Sequence, residues 1–513
     1  MKASTIIVIA FATIVLIGAV TASIYGIPAP ATHDEFSYLL GASTLLRGRF
    51  SNPFPANFEA FETFHVLMFP TYASKYPPGQ SIFLALGAWI WDPVLGVWIS
   101  SAIAVAACLW ALKPDFEVDG LAIVACVATT LIGFSYWNNS YWGGSVAASG
   151  GALFFGALRR TLSGTHWRNG AMAGLGAGIL LLSRPFEGSV FCLITLCCHI
   201  ICNVPVLRKV PAIPGRLRKI PGTATAFALV ASLAAIVSLR HNHAVTGELF
   251  TLPHTAYGRT YLSTPPFLFQ ELRLAVRESF DLLVKFNQHE REIFSSARSN
   301  FWAGFTARMN GGLVDFYFYP VFLWLALLAP ARRNTREIMT SFVIPLVLGV
   351  SFALLVTTTA FAHYMAPFSV LIIGVIATGI LNLARMTPHR SVKGLIVSTV
   401  LLIAVLARAQ GYFKECEKSR FSWQNYRKEM KKTMEATGDR HLVFVEYSPG
   451  HSFHAEWVFN DANIMDSRVI WARHRSIELD REVVQEIRKQ SKHEIITWKL
   501  DPDQKMGLTT YPL

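Results

Sequence analysis

Ile6-Ile7-Val8-Ile9-Ala10-Phe11-Ala12-Thr13-Ile14-Val15-Leu16-Ile17-Gly18-Ala19-Val20 is an unbroken apolar run, preceded by Lys2 and followed by His33-Asp34-Glu35-Phe36-Ser37-Tyr38. With its flanks the run is long enough to cross a bilayer. It can be read as a cleaved signal or as a retained anchor, and the many apolar segments after it favour the anchor. Further runs lie at 93–112, 119–136, 143–159, 170–184, 186–203, 222–240, 314–330, 338–358, 364–384 and 393–410. Each is about as long as the hydrocarbon core requires, which makes about eleven crossings and gives an α-helical polytopic membrane protein of about 11–13 membrane helices. The run 79–91 is shorter and ends at Asp92-Pro93, so it is either a re-entrant or interfacial helix or a further crossing.

Composition agrees. Of 513 residues 52% are hydrophobic, too many for an ordinary soluble enzyme. The formal charge of +13, from 46 basic and 33 acidic residues, comes largely from short loops, so it reports topology and not nucleic-acid binding. If 79–91 does not cross, Arg159, Arg160 and Arg168, then Arg208, Lys209, Arg216, Arg218 and Lys219, then Arg332, Arg333 and Arg336, then Arg385, Arg390 and Lys393 share the side of the N-terminus. That side is cytoplasmic by the positive-inside rule, which puts 25–78, 241–313 and the chain beyond about 411 outside. Six of the seven cysteines lie in apolar runs and only Cys416 in a polar one, so no disulfide framework is expected; Cys198 and Cys202 read as small buried thiols.

Residues 1–410 therefore form a membrane domain with large outer loops at 25–78 and 241–313. Residues 411–513 form a small α/β domain: a charged helical stretch at 412–435, apolar runs at Leu442 to Val445, Val469 to Trp471 and Ile495 to Trp498, and an amphipathic stretch from Asp480 to Lys489. No internal repeat of the transporter kind is evident.

The groups able to do chemistry gather just outside the spans. Asp34 and Glu35 are adjacent carboxylates past the first span, where a low-dielectric boundary can raise a pKa and make a general base, though such a pair can equally end a helix in solvent. Lys75, in Tyr72-Ala73-Ser74-Lys75-Tyr76-Pro77-Pro78-Gly79, can meet a phosphate as a point charge or simply anchor the interface. Arg184 in Arg184-Pro185-Phe186-Glu187 needs an anion, a carboxylate or water, and Glu187 or a phosphate would serve.

In that order, with His363-Tyr364 and Pro367 opening a late span, these residues resemble the GT-C superfamily of membrane glycosyltransferases, in particular the bacterial branch related to protein O-mannosyltransferases and aminoarabinose transferases. The likeness is good over 1–200, patchy over 240–410 and absent from the C-terminal domain. It implies inverting transfer of a sugar from a polyprenyl-phosphate carrier to a glycan, lipid or protein acceptor on the outer face, of a bacterial inner membrane or of an endoplasmic reticulum. It further implies Asp34 as base, Glu35 as its positioning partner, Lys75, Arg184 and His363 on the donor phosphate, and Tyr38, Tyr76 and Tyr364 on substrate; His363 reads equally as a satisfied buried histidine.

Loop 241–313 lacks an acidic cluster, so no metal or other cofactor is expected, and Glu271 to Arg298 reads as an amphipathic surface helix. His451, His454 and Glu456 follow a turn at Pro449-Gly450 and read as surface residues, and Trp457, Trp471 and Trp498 as core. The rival from another class is a transporter or flippase, whose polar groups should lie near the bilayer midplane. A catalytically dead relative with a partner-binding domain is a third reading.

Overall fold

The computed structural model describes residues 2–163, 166–209, 220–318, 322–328, 338–386, 389–490, 494–504 and 507–513. The basic residues Arg216, Arg218, Lys219, Arg332, Arg333 and Arg336 lie outside the described residues.

Apolar runs of this length become helices because hydrocarbon offers backbone polar groups no partner and a helix pairs them within the segment. The bundle is built from α1 (Ala3–Tyr25), α4 (Pro93–Leu112), α5 (Val118–Gly133), α6 (Ser145–Ser163), α7 (Trp167–Ser183), α8 (Pro185–Lys209), α9 (Ile220–Thr246), α14 (Ile344–Val356), α15 (Ser369–Met386) and α16 (Arg390–Ser419). Between them run α2 (His33–Leu46), α3 (Gly79–Ile90), α10 (Pro253–Tyr261), α11 (Asp281–Ser299), α12 (Phe301–Met309) and α13 (Phe322–Leu327), and α17 (Trp423–Ala436) and α18 (Ile477–Gln490) close the chain.

Among the described residues, six helical segments are long and apolar enough to cross a membrane: Ala3–Tyr25, Pro93–Leu112, Gly222–Thr246, Met339–Val356, Ala366–Met386 and Val392–Ser419. The expected span 314–330 is interrupted, a π-helix at Asn310–Phe318 preceding the short α13. The remaining expected spans are helical but shorter or less apolar, and packing explains why they can be. Gly170, Gly174 and Gly178 line one face of α7, and a Cβ at Gly174 would stand 2.7 Å from the Phe227 carbonyl oxygen of α9. Small residues at this spacing let two backbones touch, so close contact replaces bulk apolarity.

The helix α3 is short, twelve residues from Gly79 to Ile90. Its start abuts the Leu182 carbonyl at the end of α7, and Asp92 just beyond its end lies within the field of Lys428, from the C-terminal domain. Both of its ends therefore sit at the domain-bearing end of the bundle. Arg159 and Arg160 sit at the other end, paired with Asp115 and with the Trp110 carbonyl.

The C-terminal sheet has strand order β4-β3-β5-β6, with β3 (Arg440–Val445), β4 (Val469–Arg473) and β5 (Ile495–Leu500) parallel and β6 (Leu508–Thr510) antiparallel. The expected boundary at 411 falls inside α16, so the last bundle helix runs on into this domain. Nor does the domain stand apart: Leu442, Phe444 and Ala472 share one buried cluster with Leu40, Phe61, Val66 and Tyr72 of the first loop. Tyr72 Oη donates to the Asn460 carbonyl at 2.9 Å, and Lys428 Nζ to that of Ile27 at 2.7 Å.

Candidate active site

The site is assembled by α2 and by a two-stranded hairpin, β1 (Val66–Leu67) with β2 (Ala73–Ser74). Asp34 and Glu35 occupy the first turn of α2, where the positive end of the helix dipole favours carboxylates. Successive helical residues point in different directions, so the two separate at once. Asp34 accepts a hydrogen bond from the Tyr76 phenol, and its Oδ1 lies 3.5 Å from His65 Nδ1. Glu35 turns away from this point: it accepts the Tyr141 N–H at 3.2 Å and the Thr32 hydroxyl at 3.5 Å, fastening α2 to the loop before α6.

The hairpin delivers the rest. His65 has φ +60°, a conformation that costs a non-glycine residue energy, and its backbone is held by three hydrogen bonds: its N–H donates to Tyr257 Oη at 2.9 Å, and its carbonyl accepts from Ser37 Oγ at 2.6 Å and from Lys75 N at 3.3 Å. Lys75 follows β2 and is 5% exposed. Its Nζ lies 5.0 Å from the ring centroids of both Tyr76 and Tyr257, with no hydrogen bond or ion pair to a described residue. Tyr38 stacks on Tyr76 at 4.4 Å.

From the bundle comes Arg184, where α7 gives way to α8. Its guanidinium lies 4.7 Å from the Tyr364 ring and likewise makes no hydrogen bond or ion pair to a described residue, although Tyr38, Tyr76, Tyr364 and Glu187 all lie within its field. His363 is 1% exposed and pairs its Nδ1 with Tyr136 Oη at 3.0 Å, inside a cluster with Trp142 at 4.5 Å.

The electrostatics follow from these neighbours. Burial pushes the Asp34 carboxyl up, but His65, Lys75 and the Tyr76 phenol outweigh it and hold the group well below the usual carboxylate range. Burial raises Glu35 to about 7, opposed in part by the Tyr141 and Ala31 amides. Lys75 is brought down to about 8 by burial, with Asp34 and Glu290 resisting and Arg184 assisting. His65 is lowered by burial and by Lys75, and His254 is brought down to about 3 by the same two causes. The Asp34 carboxylate thus lies within the fields of Lys75 and His65, and Lys75 within that of Arg184.

Asp34, Lys75, Tyr38, Tyr76, Arg184 and Tyr364 accordingly converge, while Glu35 is engaged elsewhere and His363 sits one layer away, bonded to Tyr136. Sequence reasoning missed His65, His254 and Tyr257. For the last two a signal existed, since His254, Tyr257 and Tyr261 recur at one helical face after Pro253; nothing local marks His65. Among the described residues no three His, Cys, Asp or Glu side chains converge as metal ligands.

Fold and site together define a polytopic helical membrane protein with a buried polar cluster at the domain-bearing end of its bundle. No protein-family model matches the chain, and no curated protein matches it in sequence. Among solved structures it is similar to ArnT from Cupriavidus metallidurans in the apo state, at 11% identity and a TM-score of 0.48, with 97% of this chain and 94% of that chain covered. It is also similar to the oligosaccharyltransferase of Archaeoglobus fulgidus in the apo form, at 12% identity and a TM-score of 0.47 over 86% of this chain and 62% of that one. A third is the archaeal oligosaccharyltransferase AglB from the same organism in complex with an inhibitory peptide and a dolichol-phosphate, at 12% identity and a TM-score of 0.42, covering 84% and 62%. The chain thus spans less than two thirds of the length of the archaeal enzyme. Likeness at this level concerns general architecture and assigns no donor, acceptor or residue role.

Proposed function

We propose that the chain is a glycosyltransferase that moves a sugar from a polyprenyl-phosphate carrier to an acceptor hydroxyl or amine, with inversion at the anomeric carbon. One observation carries this reading: Lys75 and Arg184, two cations without a hydrogen bond or ion pair to a described residue, lie within one another's field at the end of a helical bundle, with Asp34 in the field of Lys75. Half-buried and buried cations are costly unless an anion meets them, and a lipid phosphate reaches that depth from the bilayer.

In the reaction, the acceptor atom attacks the anomeric carbon on the face opposite the phosphate. The bond from that carbon to the phosphate oxygen breaks, and the electron pair leaves with polyprenyl phosphate. Lys75 and Arg184 stabilise the growing charge there. Asp34 takes the acceptor's proton; its low pKa makes it a weak base, so it acts late, on a proton already acidified by bond formation. No metal ion takes part in these steps. The bundle end holding Arg159, Arg160 and Arg168 is assigned to the cytoplasm, which directs the site and the C-terminal domain outward, in a bacterial inner membrane to the periplasm.

The test is transfer of radiolabelled sugar from a panel of polyprenyl-phosphate donors in liposomes, comparing wild type with Asp34→Asn at equal expression. Transfer by wild type alone supports the reading. No transfer by either, with any donor and a broad acceptor extract, would sink it in favour of a transporter.

A further inference from the structure

A second group of side chains gathers one residue upstream of Asp34, and the reaction above makes no use of it. His33 is 6% exposed, its ring stacks on Phe64 at 4.1 Å, and its Nε2 is buried without a hydrogen-bond partner among the described residues. Rings from two distant parts of the chain close around it. Phe286 of α11 lies 6.4 Å away, and His454 of the C-terminal domain lies 6.4 Å away with its plane within 18° of parallel. Phe453 packs on Phe286 at 5.6 Å and lies 5.5 Å from His289. Lys285 Nζ donates to the Pro449 carbonyl at 2.5 Å, tying α11 to the same loop.

The group has a direction. His289 and His454 are exposed and His33 is buried. The His33 ring lies 5.5 Å from that of His65, whose Nδ1 is 3.5 Å from Asp34. A chain of neighbouring rings therefore runs from the exposed His289 and His454, where α11 meets the C-terminal domain, through His33 and His65 toward Asp34.

Its buried imidazole, His33, is uncharged at neutral pH. Burial, with His65 next, keeps His33 well below its ordinary pKa, and burial also lowers His454. A neutral imidazole offers one N–H and one lone pair, which suits a hydroxyl and not an anion. Leaving such a group buried and unpaired is costly, so a ligand hydroxyl that pairs with it is favoured. Flat phenyl and imidazole faces beside it suit the C–H face of a sugar ring, and a few polar atoms in an apolar cleft are the usual makeup of a small-molecule site.

We propose that His33, Phe286, His289, Phe453 and His454 form the acceptor subsite, and that it takes a neutral, hydroxyl-bearing sugar ring. The proposal rests on the transferase reading, and it makes the C-terminal domain one wall of the reaction centre.

Two measurements on the full-length protein test it. The first, without donor, is saturation-transfer NMR in detergent micelles with the methyl glycosides of glucose, galactose and mannose. Wild type should saturate the ring protons of at least one, and His33→Ala and His454→Ala should each reduce that signal about tenfold. The second is transfer kinetics in liposomes, where His454→Ala should raise the acceptor KM at least tenfold and leave the donor KM within twofold. Because His454 is exposed, this variant keeps the test open if His33→Ala does not fold. Absence of glycoside binding by wild type, equal binding by both variants, or efficient transfer confined to hydroxyl-bearing peptides overturns the subsite. His454-dependent binding without transfer from any donor supports the subsite and removes the transferase reading. Transfer indifferent to His454→Ala does the reverse.

Discussion

The phenol of Tyr76 donates to the carboxylate of Asp34 while its Oη stands 3.3 Å from His65 Nδ1, so one side chain joins the helix α2 to both strands' worth of hairpin around it. A hydrogen bond to a charged group contributes about 1.5–3 kcal/mol. Losing that bond makes the carboxylate a stronger base, so Tyr76→Phe should move the acidic limb of the pH–rate profile upward by about one unit. An unchanged acidic limb would show that the phenol does not hold the carboxylate.

Donor binding should depend on alkaline pH through Lys75. Its pKa is brought down to about 8 by burial, so the cation is present below that value and lost above it. The dissociation constant for polyprenyl phosphate, measured in bicelles, should be flat up to about pH 7 and rise through pH 8 to 9. Lys75→Gln should bind weakly at every pH and show no such limb. Persistence of the limb in that variant would assign it to another group.

Glu35 should prove structural. Its folded pKa of about 7 lies above the ordinary 4.5, so the folded state holds the proton more tightly; stability is complete below about pH 4.5 and declines as pH rises through 7. The loss is about 3 kcal/mol at most. Glu35→Gln keeps an acceptor for the Tyr141 amide and removes the charge. It should raise Tm at pH 8, leave it unchanged at pH 4.5 and retain transfer within tenfold. A loss as large as that of Asp34→Asn would return Glu35 to the reaction.

Docking of the C-terminal domain should depend on a buried pair. Arg473 donates to the Glu456 carboxylate at 2.7 Å and to the Glu62 carbonyl at 3.3 Å, and both side chains are almost wholly buried. Glu456→Gln leaves a buried arginine without its counter-charge and should cost about 3–5 kcal/mol, read as lost thermal stability in detergent; adding Arg473→Met should restore much of it. Non-recovery in the double variant would mean that packing, and not charge, dominates. For the same reason a fragment of residues 411–513 should not fold alone, since Leu442, Phe444 and Ala472 would be stripped of their partners in the first loop.

Much of the fold was legible. Periodicity and run length located every bundle helix, because a segment that pairs its own backbone must declare its length and apolarity locally. The order of charges at the span ends brought out Asp34, Lys75 and Arg184. Less legible was 314–330, where a π-helix interrupts an apolar stretch, and α3, whose return to the same end of the bundle is decided by its contacts with α7 and the C-terminal domain and not by its own composition.

What the sequence determined by itself was the set of helices, their ends and the residue types placed there, all of which depend on neighbours a few positions away. What only the tertiary structure decided was which of those residues meet. Asp34 and Glu35 are adjacent in the chain, yet one turns toward His65 and Tyr76 and the other toward Tyr141, because consecutive helical side chains point apart. His33 and His454 are brought within 6.4 Å by an apolar core that the first loop and the last domain bury together, and such burial has no signature in either segment alone.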